Sequence, residues 1–253
     1  ARFSVAIRTL TLDKHNDIAN YGVGGGIVWD SDPDEEWQES LTKAKILSFD
    51  RQSFRLLETM LYEPMSGVFL LNLHLDRLEA SAHYFGFDID VDSIRTQLCS
   101  LQLLRRAKLR LLLGSDGDYE LEEHPLSEVK SMVMLKLASR PVNSHDIFLF
   151  HKTTRRDVYD EARNDVDHCD DVILWNEKNQ LTETTIANLF LEIDGELLTP
   201  PVECGLLAGT YRRYMLENGR VKEAVLRKSD LVNVSKIYVA NSMRGLQEAR
   251  LVE

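Results

Sequence analysis

The order of strand-type and helix-type segments after residue 50 constrains the fold more than any other feature of the sequence. FRLLETMLYEP and GVFLLNL are strand-type runs around a turn at Glu63–Gly67, and LNLHLDRLEASAHYFGF has the apolar spacing of an amphipathic helix that stops near Gly86. A second helix, SIRTQLCSLQLLRR, precedes a hairpin of AKLRLLLG and YELEE around GSDGD, and the strand VKSMVMLKLA follows. This mixture predicts an α+β fold class, with residues 48–140 as a small first subdomain.

Residues 141–253 are predicted to form a larger subdomain that is richer in strands. DIFLFHKTTRRDVYDEARN begins with a strand-type apolar run, Ile147 to Phe150, and continues with apolar residues at helical spacing. DVILWNEKNQLTETTIANLFLEIDGELLTPP predicts three strands, of which Asp194-Gly195 joins the last two as a hairpin turn. CGLLAGTYRRYMLENG predicts a helix, and KIYVANS predicts a final strand.

Charge and composition exclude several classes of protein. The net charge of −11 argues against a general nucleic-acid binder, because such proteins gain affinity by neutralising phosphates. No apolar stretch approaches the roughly 18 residues that span a membrane, and ARFSVAIRTLTLDK lacks the apolar core of a signal peptide. The three cysteines lack the spacing of metal ligands, so we expect reduced thiols, no metal site and a cytoplasmic protein.

Four polar residues could carry chemistry, although each also has an ordinary explanation. Lys152 follows the run Ile147 to Phe150, Arg77 lies in HLDRL, Glu183 lies in LTETTIANLF and Thr210 follows GLLAG. Taken singly they are a solvated lysine, a surface arginine, a loop carboxylate and a helix N-cap. Taken together they supply a lysine for a Schiff base, a carboxylate for a protonated ring nitrogen, and an arginine with a helix N-terminus for a phosphate.

The motifs HLDRL, HKTTRRDVYD, LTETTIANLF and GLLAGTYRR, in this order and at these separations, resemble those of the class IV, or fold-type IV, pyridoxal-phosphate enzymes. That family contains branched-chain aminotransferases, D-amino-acid aminotransferases and 4-amino-4-deoxychorismate lyases. The resemblance implies a two-subdomain fold with a β-barrel-like C-terminal half. It also implies pyridoxal 5'-phosphate as the cofactor and a homodimer as the assembly.

The resemblance also implies roles for individual residues. Lys152 would form the Schiff base and later act as the general base, Glu183 would pair with the pyridine nitrogen, and Arg77 would bind the phosphate. Further phosphate contacts are implied for the amides of Thr210 and Tyr211 and for Asn241 and Ser242 in VANSM.

Strand alternation in LLETML puts Leu57 and Thr59 on one side and Glu58 on the other. By the resemblance, the Leu57/Thr59 side faces the substrate, so Thr59 is a candidate catalytic residue; its alternative role is that of an ordinary strand residue. Tyr159 lies on the apolar stripe of its helix, and we interpret it as a core residue.

Residues 1–47 resemble the closing segment of chorismate-utilising enzymes such as aminodeoxychorismate synthase component I. In that family the positions that match Glu39 and Lys43 serve a magnesium-dependent chorismate site, and a helix is expected from Asp32 and Pro33. Only the tail of such a domain is present, so we expect no synthase activity. A chorismate-domain tail followed by a class IV domain resembles bifunctional synthase/lyase fusions.

The predicted function is therefore a 4-amino-4-deoxychorismate lyase, which takes the small molecule aminodeoxychorismate and eliminates pyruvate to give p-aminobenzoate in folate biosynthesis. A class IV aminotransferase acting on branched-chain or D-amino acids is the alternative, and a non-enzymatic scaffold is a third reading. One departure concerns the substrate carboxylate, which several family members bind with an arginine in or beside the hairpin. Residues 111–123 contain no arginine, and only Arg110 precedes them.

Overall fold

The structure is a computed structural model that describes residues 9–16, 18–23, 37, 54–232 and 234–252. The chain divides into two compact units, residues 1–53 and residues 54–253. In the first unit, strands β1 (Thr9–Asp13) and β2 (Ile18–Gly22) form an antiparallel pair. The helix expected from Asp32 and Pro33, together with Glu39 and Lys43, lies outside the described residues.

The second unit begins with a four-stranded antiparallel sheet of order β4-β3-β5-β6. Its elements, with the two helices that pack on it, are β3 (Leu56–Glu63), β4 (Gly67–Val68), α1 (Leu71–Phe85), α2 (Val91–Ser100), β5 (Ala107–Leu113) and β6 (Tyr119–His124). Met60, Leu75, Leu78, Ile94 and Leu109 are fully buried between the sheet and the helices. One face of the sheet therefore supplies the core and leaves the other face for a site.

Two segments of this region are shorter than predicted. GVFLLNL contributes only the two residues of β4, because Leu70 adopts a left-handed conformation (φ 55°) and α1 starts at Leu71. The predicted helix SIRTQLCSLQLLRR ends at Ser100, after which Leu101 is extended. Its carbonyl oxygen accepts a hydrogen bond of 2.9 Å from the Tyr62 hydroxyl, which ties the chain to β3.

Eight strands form the sheet of the second subdomain, in the order β12-β11-β10-β13-β14-β7-β8-β9. β9 also pairs with β10 through Glu183 and Asn188, so six of these strands form a closed ring. The elements are β7 (Val133–Leu137), α3 (Asp157–Asn164), β8 (Asp171–Trp175), β9 (Leu181–Thr184), β10 (Asn188–Ile193), β11 (Glu196–Thr199), α4 (Thr210–Glu217), β12 (Lys222–Glu223), β13 (Lys236–Asn241) and β14 (Gly245–Leu251). The predicted α+β class with a barrel-like second half is confirmed.

Three predictions for this half were wrong in detail. The run Ile147 to Phe150 is not a strand: Ile147–Leu149 form a 3-10 helix, and the Asp146 carboxylate caps it by accepting a hydrogen bond from the Phe148 N–H. DVILWNEKNQLTETTIANLFLEIDGELLTPP forms four strands, because the tight turn at 185–187 separates β9 from β10. KIYVANS is not the last strand, since β14 follows it. The Asp194-Gly195 hairpin is confirmed, with positive φ at both residues.

None of the helices described above is long and apolar enough to cross a membrane.

Candidate active site

A cavity of about 410 Å³ opens between the uncovered face of the four-stranded sheet and the closed ring of strands. Its lining brings together most of the residues singled out from the sequence, although they lie far apart along the chain: Thr59, Arg77, Lys152, Glu183, Thr210, Asn241 and Ser242. Tyr211 does not belong to the lining. We refer to Arg77, Lys152, Glu183 and Thr210 as the cavity floor.

Lys152 reaches the cavity floor because the chain after the 3-10 helix runs beside β3. The Leu57 N–H donates to the Lys152 carbonyl at 2.9 Å, and Thr153 forms an isolated bridge with Leu56. Burial, together with the guanidinium groups of Arg77 and Arg156, lowers the pKa of Lys152 to about 8. Within the described part of the chain its amine has no hydrogen-bond or ion-pair partner, so it can act as a nucleophile near neutral pH.

Glu183 lies at the end of β9 and is buried. Its Oε1 accepts hydrogen bonds from the Tyr159 hydroxyl at 2.9 Å and from the Leu207 N–H at 3.0 Å, and its Oε2 accepts one from Asn188 at 3.2 Å. Burial raises the pKa of Glu183 to about 7, although the hydrogen bonds from Leu207 and Tyr159 and the charges of Lys152 and Arg156 oppose the shift. A buried carboxylate held only by neutral donors is suited to receive a cation such as a protonated ring nitrogen.

Arg77 is positioned by a buried carboxylate on the core side of β3. The guanidinium donates to both oxygens of Glu58 at 2.8 and 2.7 Å, and His74 Nδ1 lies 2.6 Å from the same carboxylate. Burial raises the pKa of Glu58, but Arg77 and His74 outweigh burial and lower it to about 2. His74 Nε2 lies 3.4 Å from the Thr210 hydroxyl, so one network connects β3, α1 and the start of α4.

The start of α4 approaches the floor closely. A Cβ atom at Gly209 would lie 1.8 Å from the Asn188 side-chain oxygen, so only glycine fits between Asn188 and the first turn of the helix. Arg77 also donates to the Ala208 carbonyl at 3.3 Å, which brings its guanidinium beside this turn. The first N–H groups of a helix have no partner within it, and together with an arginine they form a site for an anion.

The remaining candidates lie around this centre. Thr59 faces the cavity from β3, and the Ser242 hydroxyl lies 3.4 Å from its carbonyl oxygen. The Asn241 side chain is occupied by the β13–β14 turn, where it accepts from the N–H groups of Met243 and Arg244. The Tyr211 ring packs beside Phe69 and Tyr214, which leaves its backbone N–H, in the first turn of α4, as the group nearest the site.

Several residues of the site were missed or only partly understood from sequence. Tyr159 is buried, as predicted for a core residue, but its hydroxyl also holds Glu183. Glu58 received no role, although a glutamate inside the apolar run LLETML is unusual enough to be a signal. Four basic residues at the more exposed end of the cavity were not recognised as a group; we call them the cavity mouth: Arg106, Lys108, Arg110 and Arg244.

This donor set fits pyridoxal 5'-phosphate. The amine of Lys152 suits an aldehyde, the buried Glu183 carboxylate suits a protonated pyridine nitrogen, and Arg77 with the first turn of α4 suits a phosphate. A metal would need a different set: among the described residues no three His, Cys, Asp or Glu side chains are grouped to hold one.

Comparisons with known proteins identify the family and the fold. A Schizosaccharomyces pombe protein, provisionally named an aminodeoxychorismate lyase, is 33% identical over 208 residues, covering 78% of this chain and 89% of the relative. A crystal structure from Mesorhizobium loti, provisionally named an amino-acid aminotransferase, is 35% identical with a TM-score of 0.72 and covers 79% of this chain and 100% of that one.

The crystal structure of 4-amino-4-deoxychorismate lyase from Pseudomonas aeruginosa is 20% identical, and its TM-score of 0.67 over 79% of this chain and 83% of that one shows the same fold. Residues 1–48 match the family model of chorismate binding enzymes, as the sequence predicted. Residues 55–252 match the model of amino-transferase class IV, so the chain belongs to this family of pyridoxal 5'-phosphate enzymes.

Proposed function

We propose that this protein is a 4-amino-4-deoxychorismate lyase, which converts aminodeoxychorismate to p-aminobenzoate and pyruvate. The observation that carries the proposal is the succession of two family matches in one chain. A chorismate binding match over residues 1–48 directly precedes the class IV match over residues 55–252. The provisional name of the Schizosaccharomyces pombe relative supports the same activity. The succession also supports assignment of the chain as the lyase part of a bifunctional synthase/lyase.

The cavity floor provides the groups that this reaction needs. When bound, pyridoxal 5'-phosphate supplies an electron sink for removal of a proton from the amine-bearing carbon of the substrate. Lys152 would hold its aldehyde carbon, Glu183 its ring nitrogen, and Arg77 with the first turn of α4 its phosphate. Tyr159, Asn188 and the Leu207 N–H keep the Glu183 carboxylate directed into the cavity.

Lys152 is the proposed general base. Its pKa of about 8 leaves part of the population neutral near pH 7, so its Nζ can accept the proton from the amine-bearing carbon. Loss of that proton allows the neighbouring enolpyruvyl ether to leave, and protonation of the released enol gives pyruvate. The ring becomes aromatic in the same sequence, which makes the overall step strongly favourable. Thr59 lines the cavity opposite Arg110 on β5, which supports a role for its hydroxyl in positioning the substrate.

A class IV aminotransferase is the second candidate. The specific observation in its favour is the 35% identity to the Mesorhizobium loti structure, whose provisional name is an amino-acid aminotransferase. Both reactions use the same lysine and begin with the same proton removal, so the floor alone suits either one. They differ in whether the proton returns to the cofactor or a leaving group is expelled.

Product analysis tests the proposal directly. Holoenzyme is incubated with aminodeoxychorismate, and p-aminobenzoate and pyruvate are measured by chromatography against a Lys152→Ala control. We expect equal amounts of the two products from the unmodified enzyme. Turnover of branched-chain or D-amino acids with a keto acid, without p-aminobenzoate formation, would replace the lyase with the aminotransferase.

A further inference from the structure

We infer that Lys108 and Arg110 on β5 form a binding site for a second carboxylate, which makes the cavity selective for a dicarboxylate substrate. This inference rests on the proposed function, since aminodeoxychorismate carries one carboxylate on its ring and one on its enolpyruvyl group. The sequence left the partners of these carboxylates without an assignment, because residues 111–123 contain no arginine.

Strand register places both side chains on the cavity face of the sheet. Thr59 is opposite Arg110 and Leu57 is opposite Leu112, so the alternation that directs Leu57 and Thr59 into the cavity also directs Lys108 and Arg110 there. Leu109 and Leu111 face the other way and are fully buried in the core. Both basic residues therefore line the same cavity as Lys152.

Charge around the cavity greatly exceeds what one phosphate requires. Eight lysines and arginines line it, whereas Glu183 is the sole acidic residue among the described residues of the lining. The chain as a whole carries a net charge of −11, so this concentration of positive charge is local. Arg77 and Lys152 belong to the floor. Arg155 pairs with Asp157 at 3.2 Å and lies over the Phe148 ring. Arg156 donates to the Thr185 carbonyl and lies over the Tyr159 ring. The four residues of the mouth remain to meet further negative charge.

The members of the mouth differ in how strongly neighbouring acids already bind them. Arg106 pairs with Glu63 at 3.0 Å, and Arg110 pairs with Glu122 at 3.1 Å. Lys108, which is half-buried, has neither a hydrogen bond nor an ion pair over the described ranges of the chain. Glu122, whose pKa is lowered first by its hydrogen bond with His124, also interacts with the charge of Lys108, but it makes no direct contact with that amine. A half-buried ammonium without a direct hydrogen bond or ion pair gains most from an arriving carboxylate. Lys108 is thus the principal ligand and Arg110, held in place by Glu122, its companion.

This arrangement predicts selectivity between substrates of the two candidate reactions. A branched-chain amino acid has one carboxylate and an apolar side chain, which would face Lys108 and Arg110 without satisfying either. A dicarboxylate has a second carboxylate, whose negative charge can bind these two cations. The mouth therefore favours substrates with two negative groups, and this preference is independent of the reaction that the floor then carries out.

Binding of chorismate to holoenzyme, measured by calorimetry, tests the inference. Chorismate carries both carboxylates but a hydroxyl in place of the amine, so its binding needs no turnover; shikimate, with one carboxylate, serves as the comparison ligand. Lys108→Met keeps the apolar stem of the side chain and removes the charge. We expect it to weaken chorismate binding about 10- to 100-fold, as loss of a charged hydrogen bond does, with little effect on shikimate. Lys108→Arg should restore most of the affinity.

Lys136 provides the matched control, because it is a half-buried lysine on β7 that lies outside the cavity lining. Lys136→Met should bind chorismate as the unmodified enzyme does, and the absorbance of bound cofactor should be the same in all variants. Unchanged chorismate affinity and an unchanged KM for aminodeoxychorismate in Lys108→Met would overturn the inference while leaving the lyase intact. Lysine-dependent chorismate binding without p-aminobenzoate formation would uphold the inference and reject the lyase.

Discussion

Hydrogen bonds and ion pairs with buried neighbours hold Arg77 and Glu183 on the cavity floor. The mouth consists of more exposed cations, which either pair with acidic side chains at the surface or form no ion pair with a described residue. On the floor, Glu58 binds Arg77 and His74, and Tyr159 binds Glu183, all within 3 Å. At the mouth, Arg110 shares Glu122 with His124, whereas Lys108 acts on Glu122 only through its charge, without a hydrogen bond or ion pair to a described residue. The difference suggests a division of roles: a rigid floor suits a cofactor common to the family, and a loosely paired mouth suits selection of a substrate.

The largest expected effect on turnover is that of replacing Lys152 on the cavity floor, compared with replacing a lysine outside the cavity. Lys152→Ala should lower turnover by at least about 10³-fold, because it removes both the proposed covalent attachment point and the proposed general base. The measurement is p-aminobenzoate formation at saturating substrate. Lys136→Ala, which changes a lysine of β7 outside the cavity lining, should retain full activity. Comparable loss in both variants would mean that the position of Lys152 carries no special chemistry.

Glu183 gives the next largest effect. Glu183→Gln keeps the size of the side chain but removes the charge that would stabilise a protonated ring nitrogen, so we expect kcat to fall about 10²- to 10³-fold. Cofactor should still bind through Lys152, which the absorbance spectrum would show. An unchanged kcat would contradict the role proposed for the buried carboxylate.

Glu58 tests whether the floor is held together as a unit. Glu58→Ala leaves Arg77 and His74 without their shared partner, and we expect the free energy of unfolding to fall by about 3 kcal/mol, as for a broken buried ion pair. Denaturant unfolding at pH 7 is the measurement. Glu123→Ala, an exposed position in β6 with Arg105 at 3.7 Å, should cost less than about 1 kcal/mol. An equal loss of unfolding free energy in the two variants would contradict the expectation that the buried ion pairs of Glu58 stabilise the protein more than the exposed pair of Glu123.

The smallest expected effect concerns pH. In its proposed role Lys152 would attack the cofactor aldehyde only as the neutral amine, and its pKa is lowered to about 8. The rate at which cofactor-free protein captures pyridoxal 5'-phosphate should therefore rise about tenfold per pH unit below pH 8 and level off above it. Stopped-flow absorbance between pH 6 and pH 10 would show the inflection. An inflection near the ordinary lysine value of 10.5 would mean that the amine is not desolvated.

The sequence predicted those parts of the site that depend on local order. Each of the motifs around Arg77, Lys152, Glu183 and Thr210 is a short run of neighbouring residues, and the fold brings the four side chains to one cavity. The β5–β6 hairpin and the Asp194-Gly195 turn were likewise visible, because turn residues act locally.

Contacts between segments that lie far apart in the sequence could not be predicted from local sequence patterns. The bond from Tyr159 to Glu183 and the contact between His74 and Thr210 join residues 24 and 136 positions apart, and no local pattern signals them. Ile147 to Phe150 was mistaken for a strand because four apolar residues suit a buried 3-10 turn equally well. Lys108 and Arg110 were overlooked as ligands because their importance comes from the register of β5 against β3.

The most direct test of the division between floor and mouth is to identify the lysine that binds the cofactor. Lys152 and Lys108 are the two lysines among the described lining residues. Holoenzyme is reduced with borohydride to fix the cofactor, digested, and the modified peptide is identified by mass spectrometry. We predict modification of the peptide that contains Lys152 and no modification of Lys108. Cofactor fixed on Lys108, or on a lysine outside the cavity, would contradict the account.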